Sequence, residues 1–168
     1  MIPSNLLPEG SKWCVAGGYA ACPALAGDTD IWVMVETDLF GAYELLVHHL
    51  KQQVDDEWLI IAPRPDAAGA DFVVHQLYVD EATVKVAQLY TDGRQFHIML
   101  TYLNSPESII GRFDISTHQV ALTATGRVVT GPEWTPVSVP PVVSRHTGDR
   151  TTARLAKIQQ RYGHDVTS

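Results

Sequence analysis

The sequence predicts an α+β fold, in which a β-sheet is flanked by helices within a single domain over residues 1–168. Short apolar runs rich in β-branched residues recur along the chain and are typical of strands. Three other segments show helical periodicity or the residue types that start helices. Of the 168 residues, 45% are hydrophobic and 18% charged, which suffices for one globular core.

The first part of the chain predicts two strands and a long helix. The apolar run Lys12–Ala16 ends at a glycine pair, as expected for a buried strand that enters a turn. Residues 31–35 are apolar and mostly β-branched, which predicts a central strand. A helix is predicted from residue 39 to about residue 54, with Thr37 or Asp38 as its N-cap. Its buried face would hold apolar residues spaced by 4, 3 and 4 positions: Leu39, Tyr43, Leu46 and Leu50.

The remainder of the chain predicts further strands separated by turns. Asp92-Gly93 indicates a hairpin, because glycine readily adopts the positive φ that such turns require. Residues 63–70 are rich in Pro, Asp, Ala and Gly and are typical of a loop. Strands are predicted at 58–62, 72–79, 83–90, 96–103 and 113–123.

Two more helices are predicted near the C-terminus. A hydroxyl cap followed by proline, Ser105-Pro106, starts a short helix that would end near Gly111. The last helix is predicted at about 151–162 and carries basic residues, with Gly163 as its C-terminal stop.

The net charge of −7 is unevenly distributed. Residues 1–140 contain 7 basic and 17 acidic side chains, whereas residues 141–168 contain 5 basic and 2 acidic ones. The acidic part would repel a polyanion, and the C-terminal segment would attract one. This distribution argues against a general nucleic-acid coat protein.

Targeting signals are not evident in the sequence. It contains no apolar stretch approaching the roughly 18 to 20 residues needed to span a bilayer, and its first residues do not resemble a signal peptide. Cys14 and Cys22 lie eight positions apart, which favours reduced thiols over a disulfide framework. We therefore expect a cytoplasmic protein with no membrane partner.

Two carboxylates, Asp28 and Asp30, precede the predicted central strand and follow Gly17-Gly18 after nine intervening residues. Residues two apart on a strand project from the same face. Their negative charges repel each other, and a divalent ion such as Mg²⁺ or Mn²⁺, which prefers oxygen ligands, would relieve that repulsion. The glycine pair would let the backbone approach a phosphate. The alternative without a binding function is an ordinary turn followed by acids exposed to solvent. A dinucleotide-binding loop fits poorly, because the third glycine of that motif is missing.

This pattern resembles that of the DNA polymerase β-like nucleotidyltransferase superfamily. In that superfamily a hydrophobic residue and a Gly-Gly or Gly-Ser pair precede an acid–hydrophobic–acid–hydrophobic motif by nine to thirteen residues. Here Ala16 precedes the glycine pair, and Ile31 follows the acids. Thr29 replaces an apolar residue, and Tyr19 stands where many members have a phosphate-contacting serine. The resemblance implies a nucleotidyltransferase-type mixed β-sheet flanked by helices.

The superfamily takes a third carboxylate from between hydrophobic residues on a neighbouring strand, and Phe113-Asp114-Ile115 has that form. Residues 108–121 also resemble a segment of small nucleotidyltransferase-like proteins of bacteriophages and large DNA viruses, with His118 in place of a cysteine. The basic C-terminal helix resembles theirs as well.

The resemblance implies a metal-dependent enzyme that transfers a nucleoside monophosphate from a nucleoside triphosphate to an unknown acceptor: a small molecule, a nucleic acid or a protein. The catalytic and metal-binding residues would be Asp28, Asp30 and Asp114, with Mg²⁺ or Mn²⁺ as the cofactor. Nucleotide-binding residues would be Gly17, Gly18, Tyr19, Arg154 and Lys157.

Other interpretations remain open at this stage. The chain could be a nucleotide-binding or protein-interaction module without turnover, or a metal-dependent phosphodiesterase. The basic residues of the last helix, which recur at spacings of 4, 3 and 4, could instead form a solvated face. His97 alternates with apolar neighbours, and we interpret it as facing water rather than the carboxylates.

Overall fold

The computed structural model describes residues 2–36, 38–62, 78–80, 82–145 and 148–166. The chain divides into two compact units. Unit 1 comprises Met1–Trp13 and Asp28–Asn104, and unit 2 comprises Cys14–Gly27 and Ser105–Ser168.

The described residues form eight strands and four α-helices. The strands are β1 Lys12–Ala16, β2 Thr29–Met34, β3 Leu59–Ile61, β4 Tyr78–Asp80, β5 Thr83–Thr91, β6 Arg94–Thr101, β7 Val120–Thr123 and β8 Val128–Thr130. The α-helices are α1 Gly18–Ala21, α2 Leu39–Gln53, α3 Pro106–Ile110 and α4 Asp149–Arg161. Short 3₁₀ helices occupy Pro23–Leu25, Asp56–Trp58 and Ser116–His118. None of the described helices is both long and apolar enough to cross a membrane.

Unit 1 is built on a mixed sheet with strand order β3-β5-β6-β2, in which β4 also pairs with β5. Strands β2 and β6 pair in parallel, whereas β5 pairs antiparallel with β3, β4 and β6. The predicted α+β class, with a mixed sheet and accompanying helices, is confirmed.

The hairpin between β5 and β6 turns at Asp92-Gly93, as predicted. Both residues have positive φ, 52° for Asp92 and 71° for Gly93. Such a pair of left-handed residues gives a two-residue turn whose twist matches that of the strands. The turn therefore sets the register of β6 against β5.

Helix α2 confirms the predicted helix and its buried face. The Asp38 side chain accepts a hydrogen bond from the Gly41 amide at 2.9 Å, which caps the helix. The alternative cap, Thr37, lies outside the described residues. All four members of the predicted apolar face are buried: Leu39, Tyr43, Leu46 and Leu50.

Unit 2 contains the antiparallel pairs β1–β7 and β7–β8. The predicted cap of α3 is confirmed, because the Ser105 hydroxyl accepts from the Ser108 amide and the Ser108 hydroxyl accepts from the Ser105 amide. Helix α4 begins two residues before the predicted start and ends at Arg161, where Gly163 follows with φ 78°. The predicted basic C-terminal helix is confirmed as an element.

The predicted strand at 113–123 is wrong over most of its length, since only Val120–Thr123 is a strand. Ser116 diverts the backbone because its amide and hydroxyl are both used elsewhere. The amide donates to the Val142 carbonyl at 2.9 Å, and the hydroxyl accepts from the Val142 amide at 3.0 Å. Most of the strand predicted at 72–79, and the loop predicted at 63–70, lie outside the described residues.

Leu50→Ala should lower the free energy of unfolding by about 2–5 kcal/mol, because it leaves a cavity where a fully buried side chain packed. Leu45→Ala is the matched control, since Leu45 lies on the same helix and is 60% exposed. Urea unfolding of both variants measures the difference. Equal destabilisation by the two substitutions would contradict the assigned orientation of α2.

Candidate functional site

The predicted acid pair lies at the start of β2. Asp28 comes immediately before the strand and is half-exposed, while Asp30 is partly buried within it. The intervening Thr29 is buried, which places it on the opposite face from the two acids. The structure therefore brings Asp28 and Asp30 to the same side of the sheet, as the sequence predicted.

His97 joins this pair, contrary to its interpretation as a water-facing residue. In the parallel pairing of β2 with β6, His97 lies directly beside Asp30. His97 Nε2 is 3.3 Å from Asp28 Oδ2, and its side chain is only 20% exposed. One ligand atom from each of Asp28, Asp30 and His97 lies within 4.8 Å of the others.

The surroundings of His97 favour the neutral form of its imidazole. Burial is the main cause that lowers the pKa of His97, and the positive charge of Lys85 lowers it further. The carboxylate of Asp28 acts in the opposite direction. The neutral imidazole is the form that binds metal ions.

Two carboxylates and a neutral imidazole form a donor set that fits a divalent cation. The half-exposed Asp28 leaves the cluster open on one side, where a phosphate oxygen or water could complete the coordination. Asp28, Asp30 and His97 could therefore hold a divalent metal ion.

The second predicted feature, the glycine pair, lies in unit 2. Gly17 has φ 91°, a backbone conformation that residues with a Cβ atom rarely adopt. Its amide donates to the Val120 carbonyl at 3.1 Å, and its own carbonyl accepts from the Ala21 amide at 2.9 Å. The Gly17 amide is therefore already used by β7, and the predicted approach of the glycine pair to a phosphate stays a prediction.

The end of α4 packs against Gly18. A Cβ placed on Gly18 would lie 3.4 Å from Arg161 Nη1 and 3.7 Å from His118 Cε1. The imidazole of His118 in turn forms a hydrogen bond of 3.1 Å with the Tyr162 hydroxyl. Unit 2 thus places a positive charge, Arg161, beside the start of α1.

Asp114, the predicted third carboxylate, is buried in unit 2. Arg154 Nη1 lies 3.0 Å from its Oδ1, and the Thr151 hydroxyl donates to its Oδ2 at 3.1 Å. Oδ1 accepts no well-directed hydrogen bond, so its contact with Arg154 is an ion pair of imperfect geometry. Asp114 therefore attaches α4 to the segment that follows α3, and its role as a metal ligand stays a prediction.

The basic residues of α4 do not share one environment. Arg154 is the partner of Asp114, and Arg161 lies at Gly18, whereas Lys157 is exposed to solvent. Tyr19 is partly buried in α1. The sequence interpretation of these residues as a basic face exposed to solvent therefore holds for Lys157 but not for Arg154.

His97 is the site residue that the sequence interpretation missed. Phe96-His97-Ile98 has the same apolar–polar–apolar form as Phe113-Asp114-Ile115, so a signal was present. The pattern does not tell which strand pairs with β2, and that pairing decides which polar residue meets the acids.

The chain matches no protein-family model and none of the curated proteins. Among solved structures it is similar to a CCA-adding enzyme in complex with CTP, with a TM-score of 0.48 and 13% sequence identity. The match covers 94% of this chain and 35% of that chain, so this chain spans about a third of that enzyme's length. Similarity at this level does not assign a function to this chain.

His118 should make stability depend on pH. Burial first, and then the charges of Arg154 and Arg161, lower the pKa of His118 to about 4, while Asp114 opposes the shift. In the unfolded chain its pKa is about 6.5, so between these values the unfolded state binds more protons. The stability that the neutral ring contributes is complete above about pH 6.5 and is lost as the pH falls towards 4.

His118→Gln removes this group and provides the comparison. Between pH 7 and pH 4, wild type should lose up to about 3 kcal/mol more unfolding free energy than the variant. Urea unfolding across the range measures the difference, because the other titratable residues are the same in both proteins. Parallel pH profiles would contradict the buried, neutral state of His118.

Proposed function

We propose that this protein is a divalent-metal-dependent nucleotidyltransferase, which moves a nucleoside monophosphate from a nucleoside triphosphate to an acceptor hydroxyl. The observation that carries the proposal is the convergence of Asp28 and Asp30 with His97 at the start of β2. This acid pair occupies the carboxylate positions of the motif that resembles the DNA polymerase β-like superfamily.

The reaction needs a site that tolerates concentrated negative charge. The acceptor oxygen forms a bond to the α-phosphorus, the bond from that phosphorus to the β-phosphate oxygen breaks, and pyrophosphate leaves. When bound, Mg²⁺ or Mn²⁺ would polarise the α-phosphoryl group and neutralise the leaving pyrophosphate. Asp28 and Asp30 would hold the ion, and the exposure of Asp28 leaves that carboxylate accessible to a nucleotide.

The residues proposed to contact phosphate lie in unit 2: Gly17, Gly18, Tyr19, Arg154 and Lys157. The position of Arg161 beside Gly18 supports this assignment, because it adds a fixed positive charge next to the loop. The exposed ammonium group of Lys157 is available to an anionic ligand. Arg154 would have to serve both a phosphate and its ion-pair partner, Asp114.

Asp114 is proposed, by resemblance, to complete the metal site and to orient or deprotonate the attacking hydroxyl. Its carboxylate is already engaged by Arg154 and Thr151. That engagement favours a second candidate function: a nucleotide-binding or protein-interaction module of the same type without turnover. A third candidate, a metal-dependent phosphodiesterase, differs from a nucleotidyltransferase in its product, because it hydrolyses the bond instead of transferring the nucleotide.

One assay separates these functions. The protein is incubated with each α-labelled nucleoside triphosphate, Mg²⁺ or Mn²⁺, and a cell extract as the source of acceptor. Transfer of label to an acceptor, with release of pyrophosphate, is the expected result. Metal-dependent release of labelled nucleoside monophosphate without transfer would indicate a phosphodiesterase, and binding without either product would indicate the inactive module.

Asp28→Asn should abolish transfer while leaving the fold intact. Even residues that only orient metal ligands cost about 10- to 100-fold in metal affinity or activity when removed, so losing a ligand should cost at least as much. The substitution also removes repulsion from the second acid, so the thermal stability of the metal-free protein should stay level or rise. Transfer assays and metal-free thermal melts measure the two effects.

Asp55→Asn is the matched control, because Asp55 is an exposed acid of the same unit outside the cluster. Unfolding of Asp28→Asn would make Asp28 structural and contradict the prediction. Titration of Asp114→Asn with Mg²⁺ or Mn²⁺, together with a thermal melt, tests the third carboxylate. Weakened metal binding supports a ligand, and lowered stability with unchanged metal binding supports attachment of α4 alone.

Lys157→Glu should weaken binding of a nucleoside triphosphate and reduce the dependence of that binding on salt, because it removes a screened attraction to phosphate. Stability should change by less than about 1 kcal/mol, as is usual for exposed charges. Calorimetric titration at low and moderate salt tests this, with Lys51→Glu, an exposed lysine of unit 1, as control. Affinity equal to wild type at both salt concentrations would remove Lys157 from the nucleotide site.

A further inference from the structure

The donor set at the start of β2 contains a nitrogen as well as two carboxylates. His97 Nε2 lies 3.3 Å from Asp28 Oδ2, and the ligand atoms of Asp28, Asp30 and His97 lie within 4.8 Å of one another. At ligand distances of about 2.2 Å, two atoms on opposite sides of one ion are about 4.4 Å apart. A side-chain adjustment of a few tenths of an ångström therefore suffices for all three to contact one ion.

The position of His97 is set by the backbone, not by a flexible loop. Residues 29–34 of β2 pair in unbroken parallel register with residues 96–101 of β6, and Asp30 is the partner of His97. Neighbouring strands lie about 4.8 Å apart, and paired residues direct their side chains to the same face. The apolar neighbours Phe96 and Ile98 are fully buried on the opposite face, which prevents β6 from turning His97 away.

A simpler role for His97 is to hold Asp28 in place through a single hydrogen bond. That role accounts for the contact with Asp28, but not for a ring nitrogen of His97 that lies within 4.8 Å of a carboxylate oxygen of Asp30 as well. The Gln95 side chain is also too distant to be a strong partner, since its nitrogen lies 3.4 Å from Nε2. The geometry places the His97 ring beside both carboxylates, as expected for a ligand that shares their ion.

We propose that His97 Nε2 is a direct ligand of the metal held by Asp28 and Asp30, and that this nitrogen makes the site select Mn²⁺ over Mg²⁺. The inference rests on the metal site of the proposed function and specifies which ion that site takes. It does not depend on the identity of the acceptor.

The physical reason is the different affinity of the two ions for nitrogen. Mg²⁺ prefers oxygen ligands, demands near-ideal octahedral geometry and gives up its water reluctantly. Mn²⁺ suits the same carboxylate and phosphate oxygens. As a transition-metal ion it also accepts an imidazole nitrogen more readily than Mg²⁺ does. The two carboxylates supply the negative charge that attracts a divalent cation, and the imidazole shifts the metal preference of the site from Mg²⁺ towards Mn²⁺.

Pulsed electron paramagnetic resonance of Mn²⁺ bound to the 168-residue chain, without nucleotide, detects the ligand directly. The expected spectrum shows hyperfine coupling to an imidazole nitrogen, which changes from the ¹⁴N to the ¹⁵N pattern when histidine is labelled with ¹⁵N. This measurement uses the wild-type chain, so it does not depend on whether a variant folds. Bound Mn²⁺ without nitrogen coupling would overturn the inference and leave the proposed function standing.

His97→Asp provides the converse test, because it converts the donor set to three carboxylates. The nitrogen coupling should disappear, and the ratio of Mn²⁺ affinity to Mg²⁺ affinity should fall by at least about tenfold relative to wild type. His48→Gln, which replaces an exposed histidine on α2, should leave both coupling and ratio unchanged. An unchanged ratio in a folded His97→Asp variant would overturn the selectivity.

The two proposals fail in different ways. Absence of binding by either ion, with or without a nucleoside triphosphate, together with absence of transfer, would contradict the metal-dependent enzyme itself. Transfer supported equally by Mg²⁺ and Mn²⁺ in wild type, with no nitrogen coupling, would contradict only the role of His97.

Discussion

The parallel pairing of β2 with β6 is the constraint on which the candidate metal site depends. A hydrogen-bonded ladder fixes the lateral distance and the register of two strands, so a side chain on one strand has one defined neighbour on the other. In this chain the ladder places His97 beside Asp30. Buried Phe96 and Ile98 hold the register, because a slip by one residue would expose them and bury the histidine. The chemistry of the cluster is therefore maintained by hydrophobic residues that never touch it.

The hairpin at Asp92-Gly93 extends this constraint across the sheet. It joins β5 to β6 with a tight turn, and the long antiparallel pairing that follows fixes the register of β6 against β5. Helix α2 packs its apolar side chains beneath, with Leu50 fully buried. Local turn chemistry and core packing thus both act on the position of one imidazole.

Two histidines illustrate how environment assigns different roles to the same side chain. His97 lies beside carboxylates on a partly accessible sheet face, and its Nε2 is 3.3 Å from Asp28 Oδ2. Burial first, and then the charges of Arg154 and Arg161, lower the pKa of His118 to about 4, and its ring forms a hydrogen bond with the Tyr162 hydroxyl. A cation has no place next to His118, whereas the cluster around His97 attracts one. Burial lowers the pKa of both histidines, and the groups that their rings contact separate them: the Asp28 carboxylate for His97 and the Tyr162 hydroxyl for His118.

The sequence by itself determined the elements with strong local signals. The cap at Asp38, the apolar face of α2, the Asp92-Gly93 turn, the Ser105 cap and the acid pair all follow from interactions between residues close in the chain. The two-residue spacing of Asp28 and Asp30 predicted that both acids share a face of the strand, and the burial of Thr29 between them agrees with this. These predictions succeeded because φ preferences, capping and side-chain periodicity are local properties.

Only the tertiary structure decided which distant residue completes each group of charges. His97 and Asp114 both sit between apolar neighbours, and no local rule distinguishes them. The β2–β6 ladder brought the first to the acid pair, and Thr151 and Arg154 of α4 engaged the second. The strand expected over 113–123 was likewise interrupted by the contact of Ser116 with Val142, 26 residues away. Long-range pairings of this kind depend on which surfaces pack together, a property of the whole chain that no short window of sequence contains.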